Sequence, residues 1–396
     1  MTRIAYIGTY VPRRCGIATF THHLRQAVGA AAGGKGADLV IAMENRPGGH
    51  AYGSGVHPIM AGVRSEYRRA AERIRTFGAD IVSLQHEFGI FGGEAGEYVL
   101  DLLESLQRMG IPVVTTFHTV FEQPEEPYRG VQRRIAELSD RIIVMTRTAV
   151  RYVAEAFGVP VKRIVYIPHG TPQPPRGGRE ELRERLGWSG RKVVMSFGLL
   201  SRGKGLETII RALPEVIRRV PDVLYAIVGQ THPEVIKLEG ESYRAELRAL
   251  ADELGVGDHL LMIDRYMDER EIAELLTACD VYATPYPGMQ QITSGTLAYA
   301  VGLGRPVLST PYVYARDLLG NIPDLLVEPA DAGAWAEALI RLLESEETLA
   351  RIGRRITKIG ASMHWPAVGR EHLKLFRRVA REPGVTAATA EGWDAG

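Results

Sequence analysis

Short apolar runs alternate with amphipathic stretches along almost the whole chain. The runs are rich in Val and Ile, which is typical of strands buried on both faces of a parallel sheet. The stretches between them repeat apolar residues every three or four positions, which predicts helices. This alternation predicts an α/β fold built from doubly wound parallel sheets. The predicted strands span residues 4–7, 39–43, 79–87, 113–117, 141–145, 164–167, 193–197, 224–228, 260–263, 281–284 and 306–309.

A stretch rich in proline and glycine, residues 171–181, interrupts the alternation, which then restarts. Such a composition is typical of a linker, and 396 residues are more than a single core usually contains. The sequence therefore predicts two Rossmann-like domains, residues 1–171 and 172–361. Ligands of such sheets bind beyond the carboxyl ends of the strands, so we expect the two domains to face each other across a cleft.

The charges of the chain are balanced, with 48 basic residues, 47 acidic residues and a formal net charge of +1. This balance gives no general attraction to nucleic acid. Apolar runs shorter than a membrane span and only two cysteines lead us to expect a cytoplasmic protein without a secretory signal or a transmembrane segment. The arginines within residues 64–75 fit a solvated helix face better than a lipid contact, but peripheral membrane contact and the oligomeric state stay open.

The most informative turn follows the strand at residues 193–197. Glycines surround two cations there, Arg202 and Lys204. Free N–H groups and the positive end of the next helix point at such a turn, so we expect it to bind an anion. The turn could be a nucleoside-triphosphate P-loop, a loop whose charges are solvated, or a clamp that binds a diphosphate without a metal ion. A P-loop needs a hydroxyl where Gly205 stands, and the glycines favour the clamp over solvated charges.

Three histidines follow strands of the first half of the chain: His86, which precedes Glu87, then His118 and His169. One such histidine is more often a satisfied structural residue, but three at equivalent strand ends favour a functional site. Gly16 opens a helix after the first strand. A glycine there either lets the backbone approach a phosphate or simply belongs to a helix cap.

Polar residues follow the strands of the second half in the same way. Arg265 and Tyr266 come soon after the strand at 260–263. A later helix begins with the sequence Thr-Ser-Gly-Thr, whose hydroxyl and N–H groups suit an anion. An N-cap explains one hydroxyl equally well, but the neighbouring glycine favours phosphate. The candidate phosphate contacts are Thr293, Ser294, Gly295 and Thr296.

Six segments, in chain order, are TFHTV, IPHGTP, FGLLSRGKGLETIIRAL, LYAIVGQTHPEV, LGRPVLSTPY and SMHWPAVGREHLKLF. Together they resemble the retaining, nucleotide-sugar-dependent glycosyltransferases of family 4, which have the GT-B fold. The resemblance covers nearly the whole chain. It implies a GT-B fold in which residues 362–396 form a helix that crosses back to the first domain, followed by a tail.

The resemblance also implies roles for the candidate residues. Arg202 and Lys204 would stabilise the departing diphosphate, and His118 would contact the sugar near its reacting face. It implies no metal and no cofactor, with a nucleotide diphosphate sugar as co-substrate and a saccharide or another hydroxyl-bearing acceptor as partner. The implied acceptor-side residues are His86, Glu87 and His169, and the donor-binding residues are Gly16, Gln291, Thr293, Ser294, Gly295, Thr296, Tyr299, Arg265 and Tyr266.

Two positions depart from the family pattern. Members of the family place two glutamates eight residues apart around the donor helix, where this chain has Gln291 and Tyr299. Glutamine can still bond sugar hydroxyls, whereas tyrosine offers the ribose one hydroxyl. Two alternatives to transfer of mannose or glucose therefore remain: a GT-B glycoside phosphorylase that uses sugar 1-phosphate, and a non-catalytic protein that binds nucleotide or sugar.

Overall fold

The computed structural model describes residues 2–34 and 37–382. These residues form two compact units. One consists of the chain up to Gly170 together with the segment from Trp365 onward, and the other consists of Thr171–His364. Each unit contains its own parallel sheet and its own apolar core. The predicted tail after residue 382 lies outside the described residues.

The first unit is built on a sheet of seven parallel strands within the described ranges. In chain order they are β1 (Ile4–Gly8), β2 (Asp38–Glu44), β3 (Val56–Met60), β4 (Ile81–His86), β5 (Val113–Phe117), β6 (Arg141–Val144) and β7 (Ile164–Tyr166). Across the sheet the order is β3-β2-β1-β4-β5-β6-β7. The order changes direction between β1 and β4, and ligands of doubly wound sheets bind at such a point. The loops after these two strands are therefore candidate site loops.

The strand β3 was not predicted from the apolar pattern. It lies at the edge of the sheet, pairs only with β2 among the described strands, and is mostly half-buried. It also contains Pro58, which an edge strand accommodates because one of its sides makes no ladder hydrogen bonds. A half-buried edge strand needs no continuous apolar run, so the sequence pattern gave no signal for it.

Five α-helices in the described part of the first unit before Gly170 connect successive strands. In the first of them, Cys15 is the N-cap residue, and its Sγ accepts a hydrogen bond from the backbone N–H of Ala18 at 3.4 Å. None of the helices in the described ranges combines the length and the apolar character needed to cross a membrane. In chain order the helices are α1 (Gly16–Ala31), α2 (Arg64–Phe77), α3 (Val99–Arg108), α4 (Tyr128–Glu137) and α5 (Arg147–Phe157).

The second unit begins with the helix α6 (Arg179–Leu186), so the predicted linker at 171–181 is wrong at its C-terminal end. Arg183 of α6 is buried and donates to Asp280 at 3.2 Å, and Arg179 donates to the same carboxylate at 2.6 Å. The backbone N–H of Val193 also donates to Asp280, at 2.7 Å. These partners lie about a hundred positions away in the sequence, so the local composition could not indicate the helix.

The sheet of the second unit contains the five strands that were predicted for it. They are β8 (Lys192–Phe197), β9 (Val223–Val228), β10 (Leu260–Ile263), β11 (Val281–Thr284) and β12 (Val307–Ser309). All pairs are parallel, and the order is β10-β9-β8-β11-β12. The direction changes between β8 and β11, so the loops after these strands lie at the point where such sheets bind ligands.

The remaining helices of the second unit flank this sheet. They are α7 (Glu207–Arg219), α8 (Pro233–Glu239), α9 (Ser242–Glu253), α10 (Glu269–Ala278), α11 (Gly295–Gly302), α12 (Val313–Leu319), α13 (Ala332–Leu343) and α14 (Glu346–Gly360). The apolar faces of α7 and α13 pack against each other and belong to the core of this unit.

The chain returns to the first unit through the helix α15 (Trp365–Val379). This helix packs against α1. A Cβ atom on Gly369 would lie 2.5 Å from the carbonyl carbon of Ala27, so the close approach of the two helices requires glycine. Trp365 and Phe376 bury their rings in the same core.

Candidate active site

The glycine-rich turn after β8 packs against the loops that follow β11 and β9. Gly198 and Gly205 have φ angles of +129° and +59°, which L side chains rarely adopt. A Cβ atom on Gly205 would lie 2.3 Å from the carbonyl oxygen of Pro285, just after β11. A Cβ atom on Gly229, just after β9, would lie 2.0 Å from the carbonyl oxygen of Gly198. The backbone of the turn is therefore in close contact with the backbones of both loops.

A chain of hydrogen bonds joins Lys204 in this turn to the start of α11. The Lys204 ammonium donates to the Tyr286 hydroxyl at 2.7 Å, and this hydroxyl lies 2.9 Å from Thr296 Oγ1. Thr296 Oγ1 lies 3.2 Å from Ser294 Oγ. Ser294 is the N-cap of α11, and its Oγ accepts from the backbone N–H of Leu297 at 3.3 Å. The structure thus brings Lys204 together with two predicted phosphate contacts.

Tyr286 is the centre of this network, although it was not predicted as a site residue. It is 3% exposed, and its ring stacks on that of Tyr312 with the centroids 5.4 Å apart. Burial raises the pKa of Tyr286, but the Lys204 charge and the hydrogen bonds that Tyr286 makes with Lys204 and Thr296 lower it by more, so the net pKa lies below the ordinary value. The Lys204 ammonium has three N–H donors, so its bond to Tyr286 uses one of them.

Arg202 lies in the same turn, but its guanidinium has other partners. It donates to both carboxylate oxygens of Glu246 at 2.7 Å and to Glu239 at 3.0 Å. The Arg202 side chain is 52% exposed, and exposed ion pairs contribute little to stability. Arg202 and Lys204 therefore do not share a partner in this structure, because two carboxylates bind the guanidinium.

The two positions that depart from the family pattern have different surroundings. Gln291 is exposed, and its side-chain N–H donates to the carbonyl oxygen of Thr293 at 3.0 Å. Tyr299 is 9% exposed, and its hydroxyl donates to the Glu269 carboxylate at 2.6 Å. Glu269 is the first residue of α10, directly after the N-cap Asp268. The structure thus places at Tyr299 a carboxylate that the sequence reasoning missed.

The remaining residues that were predicted to bind the donor lie at the ends of strands and at the starts of helices. Arg265 follows β10 and donates to Glu271 of α10 at 2.6 Å, and its neighbour Tyr266 is half-buried. Gly295 is the first residue of α11. Gly16 is the first residue of α1 in the first unit, and a Cβ atom there would meet open space. None of the described residues therefore comes close enough to require glycine at that position.

In the first unit, two of the three predicted histidines meet at one aromatic ring. His118 Nε2 lies 3.0 Å from Gln85 Oε1, and His169 Nδ1 lies 2.7 Å from the carbonyl oxygen of Gly170. The ring of Phe20 makes edge contacts with both histidines, with centroid distances of 4.8 and 5.1 Å. His118 and His169 therefore form one cluster at the carboxyl ends of the strands.

All three histidines are neutral near pH 7. Burial lowers the pKa of His86 and His118 to about 3 and that of His169 to about 4. His86 stacks on Phe91 at 5.9 Å, and neither of its ring nitrogens has a hydrogen-bond partner within the described residues. His118 differs, because a neutral ring that donates from Nε2 to the Gln85 amide oxygen keeps Nδ1 as an acceptor.

Glu87 follows β4 and holds the two neighbouring loops together. Its Oε2 accepts a hydrogen bond from the Thr119 hydroxyl at 2.7 Å, and its Oε1 accepts one from the backbone N–H of Phe88 at 3.0 Å. Burial raises the pKa of Glu87, and these two hydrogen bonds offset the rise only in part. A half-buried carboxylate therefore lies at the carboxyl ends of β4 and β5.

The groups around Lys204 suit an anion. An ammonium, hydroxyl groups and the N-terminal N–H groups of α11 are all hydrogen-bond donors that favour phosphate. Residues 2–34 and 37–382 contain no group of three or more His, Cys, Asp or Glu side chains placed to hold a metal ion.

Two family models match the chain. The model described as Glycosyltransferase Family 4 matches residues 16–172, and the model described as Glycosyl transferases group 1 matches residues 178–359. The first match extends from the start of α1 to just beyond β7. The second match includes the glycine-rich turn and α11.

Curated relatives match over part of their length. The chain is 34% identical over 161 residues to the GDP-mannose-dependent alpha-(1-6)-phosphatidylinositol monomannoside mannosyltransferase of Mycolicibacterium smegmatis. The matched region is 40% of this chain and 39% of that protein. It is 26% identical over 299 residues to the D-inositol 3-phosphate glycosyltransferase of Xylanimonas cellulosilytica. That match includes 69% of this chain and 68% of the relative. The chain thus spans well under half of the first relative and about two thirds of the second.

A solved structure shows the same fold. A protein of Anabaena in complex with UDP matches with a TM-score of 0.74 at 16% identity, and the match covers 96% of this chain and 100% of that chain. At this identity the likeness concerns the fold alone, which has the two parallel sheets expected for GT-B. With both family models matching in sequence, the chain belongs to the family 4 glycosyltransferases and is an enzyme of the GT-B fold.

Proposed function

We propose that this protein transfers a hexose, mannose or glucose, from a nucleotide diphosphate sugar to a hydroxyl group of an acceptor, with retention at the anomeric carbon and without a metal ion or a cofactor. One observation carries the proposal. Tyr286 holds the Lys204 ammonium beside the hydroxyl groups that begin α11. A cation, hydroxyl groups and free helix N–H groups in one place are the groups that bind a diphosphate.

The proposed chemistry follows from where charge develops. When the bond between the anomeric carbon and the diphosphate oxygen breaks, its electron pair moves to that oxygen and the sugar gains oxocarbenium character. Lys204 and the start of α11 stabilise the leaving group. The acceptor hydroxyl then attacks from the face that the diphosphate leaves and gives its proton to the departing oxygen.

Arg202 supplies a second cation after it changes partners. Its bonds to Glu239 and Glu246 are exposed, so exchanging a carboxylate for a diphosphate oxygen costs little. Its planar guanidinium suits bidentate contact with phosphate. We therefore propose that donor binding releases Arg202 from at least one of the two glutamates.

The Tyr299 and Glu269 pair is our proposed contact for the nucleoside ribose. An ionised carboxylate can accept bonds from two adjacent hydroxyls, which a tyrosine alone cannot do. Tyr299 orients the carboxylate through its bond of 2.6 Å. Gln291, being exposed, would bond hydroxyls of the transferred sugar. The change from the family pattern then preserves a negative charge at the ribose but supplies it from α10.

In the first unit we propose that His118 contacts the transferred sugar. Its ring is neutral, and Nδ1 can accept a bond from a sugar hydroxyl while Nε2 donates to Gln85. Cys15 and Cys279 are free thiols, which suits the proposed cytoplasmic location. One relative is named for GDP-mannose and one similar structure contains UDP, so GDP-mannose and UDP-glucose are the first donors to test.

The Lys204→Ala variant tests this proposal. We expect donor hydrolysis and transfer to fall at least about a hundredfold, because a preorganised charge at the leaving group is lost, while a cooperative unfolding curve shows that the protein stays folded. Lys192→Ala is the matched control. Lys192 is the first residue of β8, the strand before the turn that contains Lys204, and its ammonium pairs with the exposed Glu346 at 3.1 Å. Turnover of Lys204→Ala near the native rate would remove the residue from the mechanism. Release of sugar 1-phosphate only in the presence of phosphate would identify a phosphorylase instead.

A further inference from the structure

Three aromatic rings form a partly exposed surface on the first unit, which we call the aromatic surface. It consists of Phe88, Phe121 and Tyr128. Phe121 is 38% exposed and Tyr128 is 43% exposed, whereas Phe88 is buried beneath them. Phe88 stacks on Phe121 at 6.0 Å and makes an edge contact with Tyr128 at 4.9 Å. The two exposed rings are thus supported from below by a third.

The aromatic surface lies at the carboxyl ends of β4 and β5. Phe88 comes two residues after β4 and Phe121 four residues after β5. The loop that carries Phe121 is tied down, because Thr119 donates to Glu87 and the buried side chain of Gln132 donates to the carbonyl oxygen of Thr119 at 2.7 Å. The loop of Phe121 is therefore hydrogen-bonded to the carboxylate of Glu87, the residue directly before Phe88.

A carboxylate beside exposed aromatic rings matches the chemistry of a sugar. A pyranose has an apolar face of C–H groups, which stacks on an aromatic ring, and an edge of hydroxyl groups, which donate to a carboxylate. Glu87 accepts one bond from Thr119 and one from the backbone of Phe88, and each carboxylate oxygen has a further acceptor position. Tyr128 adds a hydroxyl of its own at the edge of the surface.

The segment that carries Phe121 and Tyr128, residues 119–130, has a net negative charge. Residues 119–130 carry three carboxylates and one cation. Arg151 of α5 pairs with Glu122 at 3.2 Å, but it also pairs with Glu155 at 3.1 Å, so these three groups together remain negative. A phosphate group placed here would meet like charge. The charged residues of the segment are Glu122, Glu125, Glu126 and Arg129.

We propose that the aromatic surface and Glu87 form a binding subsite for an uncharged saccharide, which serves as the acceptor. This inference rests on the proposed glycosyl transfer and narrows its acceptor from any hydroxyl compound to a neutral sugar ring. The ring stacks on Phe121, whose plane makes an angle of 72° with that of Tyr128, and two of its hydroxyls donate to Glu87. An acceptor that carries phosphate next to the accepting ring binds more weakly at this surface.

The test uses the full-length protein with methyl mannoside, methyl glucoside, mannobiose and maltose as neutral probes and inositol phosphate as the anionic probe. We expect Phe121→Ala and Glu87→Gln to raise the acceptor KM, or the saccharide Kd by ligand-observed NMR, at least about tenfold. Hydrolysis of the donor without acceptor should stay unchanged in Phe121→Ala. Phe121→Tyr keeps a ring and should retain native binding. Val161→Ala, which shortens another exposed apolar side chain of this unit, should have no effect.

The outcomes separate this inference from the proposed function. If the native protein hydrolyses a nucleotide sugar but binds none of the neutral saccharides, or binds inositol phosphate better than all of them, the subsite is wrong and the transferase stands. If no donor is hydrolysed but Phe121→Ala still abolishes saccharide binding, the proposed transfer is wrong and the subsite stands. Retention on phosphatidylglycerol vesicles that Phe121→Ala abolishes, without saccharide binding, would show a lipid contact and overturn the inference.

Discussion

Replacing Tyr286 with phenylalanine removes one oxygen atom from the centre of the phosphate network and leaves the ring stacked on Tyr312. The Lys204 ammonium loses a partner at 2.7 Å, and Thr296 Oγ1 loses one at 2.9 Å. A hydrogen bond to a charged group contributes about 1.5–3 kcal/mol. If Tyr286 holds Lys204 at the diphosphate, that energy is lost from the transition state. Because about 1.4 kcal/mol changes a rate tenfold, we expect kcat to fall about 10- to 150-fold.

The same substitution should reduce the free energy of unfolding by about 1–3 kcal/mol, because the hydroxyl of Thr296 is left with one partner fewer in a largely buried site. The two effects are separated by measuring nucleotide release at saturating donor and urea unfolding on the same preparation. Tyr225→Phe is the matched control. It removes a hydroxyl from another fully buried tyrosine of this unit, which donates to Ser196 at 3.0 Å.

We expect Tyr225→Phe to lose about 1 kcal/mol of stability with kcat unchanged. The reasoning is refuted if Tyr286→Phe turns over at the native rate. It is refuted equally if Tyr225→Phe slows turnover as much as Tyr286→Phe does, since the slowing would then reflect a weakened fold.

Three further predictions concern binding, pH and folding. Glu269→Gln should weaken nucleotide binding measured by calorimetry about tenfold or more and abolish the preference for ribonucleotides over deoxyribonucleotides, whereas Tyr299→Phe should have a smaller effect in the same direction. The pKa of His86 is about 3 in the folded protein, below the unfolded value near 6.5. The contribution of this residue to the free energy of unfolding is therefore complete above pH 6.5 and decreases as the pH falls. In denaturant unfolding, His86→Phe should abolish about 2 kcal/mol of the stability that the native protein loses between pH 6.5 and 5. Asp280→Ala should cost about 3–5 kcal/mol by the same method, because it leaves the Arg183 charge buried without its carboxylate, and a loss below 1 kcal/mol would contradict this account.

Periodicity in the sequence was sufficient to find most of the sheet strands. Strands buried on both faces, such as β8 and β9, appear as apolar runs whatever their neighbours are. The edge strand β3 and the helix α6 were missed for the opposite reason. Their stability depends on partners elsewhere in the chain, such as Asp280 for α6, and these leave no local pattern.

The candidate site could be predicted only in part. Its location at the ends of β8 and β11 follows from the glycines and from the alternation of strands and helices, and the hydroxyl groups that begin α11 follow from its capping sequence. The bond from Lys204 to Tyr286 spans 82 positions and exists because β8 and β11 are neighbours. Strand order is not contained in the pattern of any single strand, so neither Tyr286 nor Glu269 could be assigned.

The close contact between Gly198 and Gly229 divides the turn into a part that tolerates change and a part that does not. Any Cβ atom at position 229 would collide with the Gly198 carbonyl oxygen, so a saturation library at codon 229 should return glycine alone. Apart from its two chain neighbours, a Cβ atom on Gly203 would meet Ser201 Oγ at 3.7 Å and no backbone atom of the described residues within 4 Å, so this position should accept alanine. Attempts to redesign donor choice should therefore vary the residues around Arg202 and leave the other end of the turn untouched.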